Sequence, residues 1–356
     1  MTGDGINMKC SKKKWFAVFG GITGACLLAM AALVIYVDPF FQYHKPLQGF
    51  PYVLDNQLNQ NPGIAKNMDY DSIILGSSMV VQFNTEWFAD ILGLNTMKLP
   101  YNAAHAKDQD RILSIVEKHH EMPEAVFLGI DLLPYANGTD TDAYPVPEAY
   151  YDDNIFNDVE YWWNKDVLLD YVIAPYIGKD EADDFHIIYA KNYYGEYYNE
   201  EYVLSNYVPE EKAEEPVPED AYVEAAKANM EEHILPHIRN NPDTEFYVFF
   251  PPYSILFWYD CLQDNDVDAR LMEYDTMMQP LFACDNVRVF FFQNDPELIC
   301  NLNRYIDYTH YDREVNLYMT QCFANGEKEV TAETYQRELE ELRELVNQFD
   351  FSRWGL

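Results

Sequence analysis

The sequence is poor in positive charge. Its 356 residues include 24 Lys and Arg against 60 Asp and Glu, which gives a formal net charge of −36. Nucleic-acid binding needs a basic surface to contact the phosphates, so this balance excludes that class of function. The chain also has no internal repeat and no low-complexity tract. Aromatic residues make up 16% of it, enough for a packed core, and this excludes a disordered chain.

Charge is absent altogether from one run, Trp15–Val37, which is 23 residues long. A helix of that length crosses a hydrocarbon core of about 30 Å. A basic tail, 1–14, precedes the run and contains Lys9, Lys12, Lys13 and Lys14. The positive-inside rule therefore predicts a cytoplasmic N-terminus and an extracytoplasmic chain from Asp38 onwards, in a single-pass protein of the cell membrane. A cleaved signal peptide is the alternative, but the run is longer than the usual apolar region of such a peptide.

Patterns that bind metals are also scarce. None of the six cysteines forms a C-x-x-C pair, so a zinc ribbon is not expected. Four cysteines are predicted to be extracytoplasmic, and the sequence does not choose among their three possible disulfide pairings: Cys261, Cys284, Cys300 and Cys322. His233 and His237 have the i, i+4 spacing of a metal site, but Pro236 between them is expected to disrupt the helix. We expect no metal and no cofactor.

The extracytoplasmic chain divides by composition. Segment 38–69 is rich in Pro, Asn and aromatic residues and is predicted to be an irregular stalk that wraps on the body. From residue 70 to 356, apolar runs alternate with amphipathic segments, which predicts βαβ units and a mostly parallel sheet. The predicted strands are Tyr70–Gly76, Thr96–Leu99, Glu124–Ile130, Glu245–Phe250 and Val287–Phe292. Residues 132–218 are crowded with Tyr, Asp and Glu and are predicted to be an insertion with some helix, for example Tyr161–Tyr176.

Gly76-Ser77-Ser78 stands where the first predicted strand ends. Sites in parallel α/β sheets lie beyond the carboxyl ends of the strands, and a serine on such a turn has an accessible hydroxyl. The alternative is a serine that only caps the next helix.

Asp307-Tyr308-Thr309-His310 follows the last predicted strand. An aspartate three residues before a histidine can accept its Nδ1–H and leave Nε2 as a base. A second copy, Asp183-Asp184-Phe185-His186, lies in the acidic insertion and follows no strand. Position therefore favours Asp307 and His310, and the alternative base is His186.

These two elements together resemble the SGNH (GDSL-like) hydrolase superfamily, whose first block carries the nucleophilic serine and whose last block is D-x-x-H. With the N-terminal anchor, they are similar to the membrane-anchored branch of D-alanyl-lipoteichoic acid transfer and alginate O-acetylation proteins. The resemblance covers roughly Tyr70–Ala324 outside the insertion. It implies a three-layer α/β/α sandwich of flavodoxin-like type, with Ser78 as nucleophile, His310 as base and Asp307 orienting it.

The resemblance also implies an oxyanion hole, and here the sequence departs from the family. Ser78 supplies one backbone donor, while the second block, which includes Asn102 and Ala104, has no glycine. Asp131 stands where the third block usually has asparagine, and an ionised carboxylate repels an oxyanion. Tyr253 and Ser254 follow the fourth predicted strand and are further candidates for the cleft, a rigid loop being the alternative.

The sequence as a whole therefore predicts an extracytoplasmic serine esterase or O-acyltransferase. Its substrate would be a cell-surface glycan or polyol polymer, or the acyl ester of one. The resemblance further implies a membrane-bound O-acyltransferase as partner. The Tyr-rich stretch Tyr189–Tyr202 is a carbohydrate-stacking face or, as we favour, ordinary insertion surface. The rival to an enzyme is a catalytically inactive scaffold of the same fold that binds surface polymer or envelope-assembly partners.

Overall fold

The computed structural model describes residues 12–178, 182–190 and 197–356. The strands are β1 (Ser72–Gly76), β2 (Thr96–Pro100), β3 (Ala125–Gly129), β4 (Glu245–Phe250), β5 (Val287–Phe291) and β6 (Glu329–Val330). The first eight helices are α1 (Lys12–Val37), α2 (Gln57–Asn67), α3 (Thr85–Leu92), α4 (Ala106–His119), α5 (Leu132–Tyr135), α6 (Glu148–Tyr151), α7 (Val159–Trp162) and α8 (Ala174–Gly178). They are followed by α9 (Glu200–Asn206), α10 (Val223–Asn229), α11 (Leu235–Asn240), α12 (Ile255–Asp264), α13 (Val267–Met278), α14 (Pro296–Ile299), α15 (Arg313–Asn325) and α16 (Tyr335–Gln348).

The six strands form one sheet in the order β2-β1-β3-β4-β5-β6, in which only β6 is antiparallel to its neighbour. Every residue of β1 and β3 is buried, which explains why both are continuous apolar runs. The five predicted strands and the mostly parallel sheet are thus confirmed. After β1 the chain moves outward to β2 and then returns past β1 to β3. A ligand crevice is expected at such a reversal, beyond the carboxyl ends of β1 and β3.

Within the described chain, α1 is the helix long and apolar enough to cross a membrane, by length and composition. Its early part stands clear of the body, whereas Val34 near its end is fully buried. Asp38 follows it, fully buried and at a φ of +49°. The Asp38 carboxylate accepts hydrogen bonds from the backbone N–H groups of Gln42, Tyr43 and His44 and from the hydroxyl of Tyr161. The helix therefore enters the body through a turn held by hydrogen bonds.

Segment 38–69 corrects one expectation, because it is not wholly irregular: it contains α2. Asn56 caps this helix by accepting the N–H of Asn59 at 3.2 Å. Two polar residues inside α2 are buried by partners distant in sequence. Gln60 Nε2 donates to Val53 O at 2.8 Å, and Asn61 Nδ2 donates to Pro100 O at 2.6 Å. Their burial depends on tertiary contacts, so the polar composition of the segment concealed a packed helix.

The insertion is helical where expected, although in two pieces. The predicted helix Tyr161–Tyr176 is replaced by α7 and by a π-helical turn, Val167–Ile173, that runs into α8.

A second π-helical turn, Met230–Ile234, joins α10 to α11 and brings Pro236 to the start of α11. The helix thus continues past Pro236 where the sequence predicted disruption, because the wider turn relieves the clash of the proline ring.

Candidate active site

The turn after β1 presents Ser78. Gly76 ends the strand at a φ of +155°, and a Cβ there would lie 2.6 Å from Val80 Cγ1, so the position requires glycine. Ser77 is the residue that caps: its Oγ accepts the N–H of Met79 at 3.1 Å, at the start of the 3₁₀ turn Ser78–Val80. The Ser78 hydroxyl is left for another partner.

That partner is His310, which lies 232 residues away in the chain. Ser78 Oγ is 2.8 Å from His310 Nε2, and His310 Nδ1 is 2.7 Å from Asp307 Oδ2. Asp307 Oδ1 accepts the backbone N–H of His310 at 2.7 Å and that of Thr309 at 2.8 Å. The three side chains form a continuous hydrogen-bonded chain with the connectivity of a Ser-His-Asp triad.

The aspartate and histidine lie on a loop closed on itself. Tyr305 and Tyr311 form an isolated antiparallel bridge, and Ile306 N–H donates to His310 O at 3.0 Å. The loop after β4 supports it from the side. Ser254 is fully buried, and its hydroxyl donates to Tyr308 O at 2.7 Å. Ser254 thus holds the loop of the base, and its burial removes it from the surface of the site.

Two side chains tie the serine turn in place. The Tyr311 hydroxyl, next to His310 in sequence, donates to the carbonyl of Met79, next to Ser78, at 2.8 Å. Lys98, fully buried on β2, donates from Nζ to the carbonyls of Val81 and Phe83. Burial lowers the pKa of Lys98 to about 7. Sequence reasoning did not identify either residue; a lone lysine within the apolar strand TMKLP was the available signal for Lys98.

The groups around His310 shift its pKa. Burial lowers the pKa of His310, but the hydrogen bond from its ring to Asp307 and the negative charge of Asp307 outweigh that effect, so the net shift is upward. Burial by itself would raise the pKa of Asp307. The hydrogen bonds with His310 and with nearby backbone N–H groups outweigh this effect, so the net shift of the pKa is downward. Asp307 is therefore ionised at neutral pH, which orients the ring and stabilises an imidazolium.

Asp131 lies at the end of β3, next to the turn after β1. The side chain is 5% exposed, and its Oδ1 accepts the hydroxyl of Tyr253 at 2.7 Å. Burial raises the pKa of Asp131, against the opposing effect of hydrogen bonds from Ser77 and Tyr253. Tyr253 is itself buried, and its hydroxyl also accepts the N–H of Leu132 at 3.2 Å. Tyr253 therefore holds Asp131 in position and does not line an open cleft.

The loop after β2 carries the predicted second oxyanion donors. Two of its amides are already engaged, because Asn102 N–H donates to Gln57 Oε1 at 2.9 Å and Ala104 N–H donates to Tyr101 O at 2.9 Å. Ala103, which belongs to the same predicted block, adopts a φ of +57°, a conformation typical of glycine. No described residue accepts the N–H of Ala103 or of Ser78. These two amides remain as candidate donors.

A cavity of about 330 Å³ lies beside the triad. Asp307 and Tyr308 line it together with Tyr207, Phe257 and Asp260, whereas Ser78 and His310 are not part of its wall. The cavity thus contacts the aspartate side of the triad.

The remaining sequence candidates lie elsewhere. His186, the alternative base, has its Nδ1 2.9 Å from Thr85 Oγ1. His237 contacts Glu117 and Asp110 at 2.7 Å each, and His233 contacts Asp110 at 3.1 Å. Over residues 12–178, 182–190 and 197–356 no cluster of His, Cys, Asp and Glu is arranged to hold a metal ion. The cysteines Cys261, Cys284, Cys300 and Cys322 are all free thiols. Residues 191–196 of the Tyr-rich stretch lie outside the described residues.

Comparison of the chain with protein-family models and with curated proteins finds no match.

Proposed function

We propose that this protein is a membrane-anchored serine acyltransferase or esterase that acts outside the cell on a glycan or polyol polymer of the envelope. The proposal depends on one observation: Ser78 Oγ, His310 and Asp307 are joined by contacts of 2.8 and 2.7 Å at the carboxyl edge of the sheet. A base within hydrogen-bond reach of a serine hydroxyl, itself oriented by a carboxylate, is the arrangement that activates serine.

In the proposed reaction, Ser78 Oγ attacks the carbonyl carbon of an acyl ester while His310 Nε2 takes the hydroxyl proton. Asp307 holds the ring through Nδ1 and stabilises the imidazolium. The imidazolium returns its proton to the leaving alkoxide, and the acyl group remains on Ser78. Water or a polymer hydroxyl then gives its proton to His310 and attacks the carbonyl carbon of the acyl-enzyme. As the bond between the acyl carbon and Ser78 Oγ breaks, the imidazolium returns that proton to Ser78 Oγ and both side chains are restored.

The oxyanion of the tetrahedral intermediate needs hydrogen-bond donors. The second block lacks its glycine and Asp131 replaces an asparagine, and one observation bears on each of these departures. Ser78 N–H and Ala103 N–H have no acceptor among the described residues, and each belongs to a loop at the carboxyl end of neighbouring strands, β1 and β2. Burial raises the pKa of Asp131. A neutral Asp131 would not repel an oxyanion and retains a hydroxyl that can donate, so the replacement of asparagine does not exclude acyl chemistry.

The anchor and fold complete the proposal. We assign α1 as an uncleaved transmembrane helix with a cytoplasmic N-terminus, since its end is packed into the body at Val34 and a cleaved signal sequence would remove that contact. We also propose the three-layer arrangement of the SGNH fold. The contact between α3 and α15 supports one helical layer, and the contacts of α4 with α11 and of α13 with α16 support the other. A membrane-bound O-acyltransferase is the proposed donor of the acyl group.

A fluorophosphonate probe tests the chemistry, because it reacts only with an activated serine. We expect full-length protein to be labelled, Ser78→Ala to lose the label, and Ser205→Ala, an exposed serine on α9, to keep it. Hydrolysis of p-nitrophenyl acetate should follow the same order. Added glycerol distinguishes the two reactions, since a transferase yields glyceryl acetate and an esterase yields acetate.

The alternative is an inactive scaffold that binds polymer through the same fold. Wild-type protein that is unlabelled, although its circular dichroism matches the helix and strand content described above, would overturn the enzyme proposal in favour of this scaffold.

A further inference from the structure

The body contacts α1 far from its end. Trp163, in the insertion, donates from its indole Nε1 to the carbonyl oxygen of Leu27 at 3.1 Å. Leu27 lies ten residues before Val37, the last residue of α1, which is about 15 Å along the axis. Ala31, Val34 and Val37 are buried on the same side of the helix. The insertion therefore extends alongside the outer half of the apolar helix and does not begin where the helix stops.

This arrangement limits where the membrane surface can lie. The other sides of α1 carry exposed apolar side chains from the level of Leu27 to the end of the helix, including Leu28, which is 70% exposed, and Tyr36, which is 67% exposed. A bilayer that covers Leu28 reaches the depth of Leu27, and Trp163 is hydrogen-bonded at that depth. The insertion next to α1 must then meet the outer leaflet as well.

The surface of the insertion has the composition that such a position requires. Large apolar side chains are exposed between residues 155 and 177, among them Ile155, Phe156, Trp163, Leu169, Tyr176 and Ile177. Phe156 is 84% exposed, Tyr176 73% and Ile177 71%. Residues Val167–Gly178 form a further apolar helical stretch that is too short to cross a bilayer. Trp and Tyr beside aliphatic residues are typical of segments at the boundary between head groups and acyl chains.

Charges in the segment set its depth. Glu160, Asp166 and Asp170 are exposed, and Lys165 pairs with Asp166. Carboxylates are costly in hydrocarbon, so they keep the segment at the level of the head groups. The segment has no excess of positive charge, which means that apolar insertion and not attraction to anionic lipids would hold it there.

We propose that residues 155–177 form a second membrane contact, immersed at the boundary of the outer leaflet beside α1. The occupant of this apolar surface is the lipid of the same bilayer that α1 crosses. The inference rests on the anchor assignment and is independent of the serine chemistry. Two contacts, the helix and the insertion, would fix the orientation of the body on the membrane.

Quenching of tryptophan fluorescence by brominated lipids tests the proposal on the full-length protein in nanodiscs of phosphatidylcholine with bromine on the acyl chains. Trp15 lies on α1, so Trp15→Phe measures the insertion of the anchor by itself. In that background, Trp163→Phe should at least halve the quenched fraction, because Trp163 is the exposed indole of the segment. Trp87→Phe, which removes an indole on α3, is the matched control and should leave the quenched fraction unchanged.

The outcomes are separable. If Trp15→Phe reduces quenching but Trp163→Phe does not, the anchor is inserted and the second contact is overturned, whether the segment is open to water or covered by another protein. If no tryptophan is quenched, α1 is not in the bilayer and the proposal fails with it. A Phe156→Asp/Ile177→Asp variant should also lose Trp163 quenching while Trp15 is still quenched.

Discussion

Segments Asp307–His310 and Asp183–His186 have the same spacing of aspartate and histidine, yet the fold uses them differently. In the first, the carboxylate of Asp307 turns back to the ring of its own histidine. In the second, Asp183 Oδ2 accepts the N–H of Leu54 at 2.9 Å, and the ring of His186 contacts Thr85. The difference shows that topology and not spacing brings a D-x-x-H segment into contact with Ser78. The first segment follows β5 at the carboxyl edge of the sheet, on the same edge as Ser78.

Removing His310 should have the largest effect, and removing His186 should have almost none. His310→Ala is expected to lower the rate of p-nitrophenyl acetate hydrolysis by about 10⁶-fold, since loss of the base leaves only binding and oxyanion stabilisation. His186→Ala should retain the wild-type rate within about twofold, because its ring contacts Thr85 and not the serine. Equal losses in the two variants would mean that the choice of base is wrong.

The pH profile sharpens the role of Asp307. The pKa of His310 is raised above its ordinary value, so the rate should fall as the pH falls through a midpoint above about 6.5 and the base becomes protonated. Asp307→Asn removes the main interaction that raises this pKa. The midpoint should then move to lower pH, and the maximal rate should fall by about 10⁴-fold. Asp183→Asn is the matched control, and a shift of the midpoint in that variant would argue against our assignment.

A smaller effect, on the free energy of unfolding, is expected at the buried histidines His233 and His237. Each of their ring nitrogens contacts an acceptor, and the acceptors are Asp110, Glu117 and Thr139 O. Burial lowers the pKa of each histidine, but hydrogen bonds with Asp110 raise it more. Their contribution to the free energy of unfolding is therefore complete below about pH 6.5 and is lost as the pH rises through the raised values. Burial raises the pKa of Asp110, but both histidines lower it to about 2. Its contribution is lost only as the pH falls toward that value.

Asp110→Asn should accordingly lower the free energy of unfolding by about 3 kcal/mol at pH 6 and by clearly less at pH 9, measured by urea titration. Asp90→Asn, an exposed aspartate on α3, should change it by less than about 0.5 kcal/mol at either pH. A cost in Asp110→Asn that does not depend on pH would mean that the histidines are neutral in the folded protein.

The strands and helices that could be predicted from sequence are those whose own apolar pattern is clear without knowledge of their tertiary contacts. The runs of β1 and β3 and the helix α3 are apolar enough to be recognised without their neighbours. α2 was missed because Gln60 and Asn61 are buried by hydrogen bonds to distant carbonyls. α12 was missed because it begins after two prolines, with Ser254 as its cap, and β6 was missed because it is two residues long.

The residues of the candidate site show the same distinction between those that a sequence pattern identifies and those that depend on tertiary contacts. Ser78, Asp307 and His310 were found because each follows a recognisable strand. The side chains that hold the serine turn were not found, because Tyr311 and Lys98 donate to backbone carbonyls, a contact that no motif records. Asp131 was recognised as a departure, but its burial and its hydrogen bond with Tyr253, 122 residues away, depend on the tertiary fold.

The buried carboxylate of Asp38 at the end of α1 has a consequence for the reach of the protein. Its four hydrogen bonds fix the turn between α1 and the body. An enzyme anchored as proposed therefore cannot move away from the membrane as an enzyme on a flexible linker could. A body of this size is about 50 Å across. The proposed enzyme could therefore contact substrates only within that distance of the membrane surface. Polymer chains would have to pass through this thin layer to be modified. Such an enzyme would therefore act on material as it leaves the membrane and not on the mature outer wall.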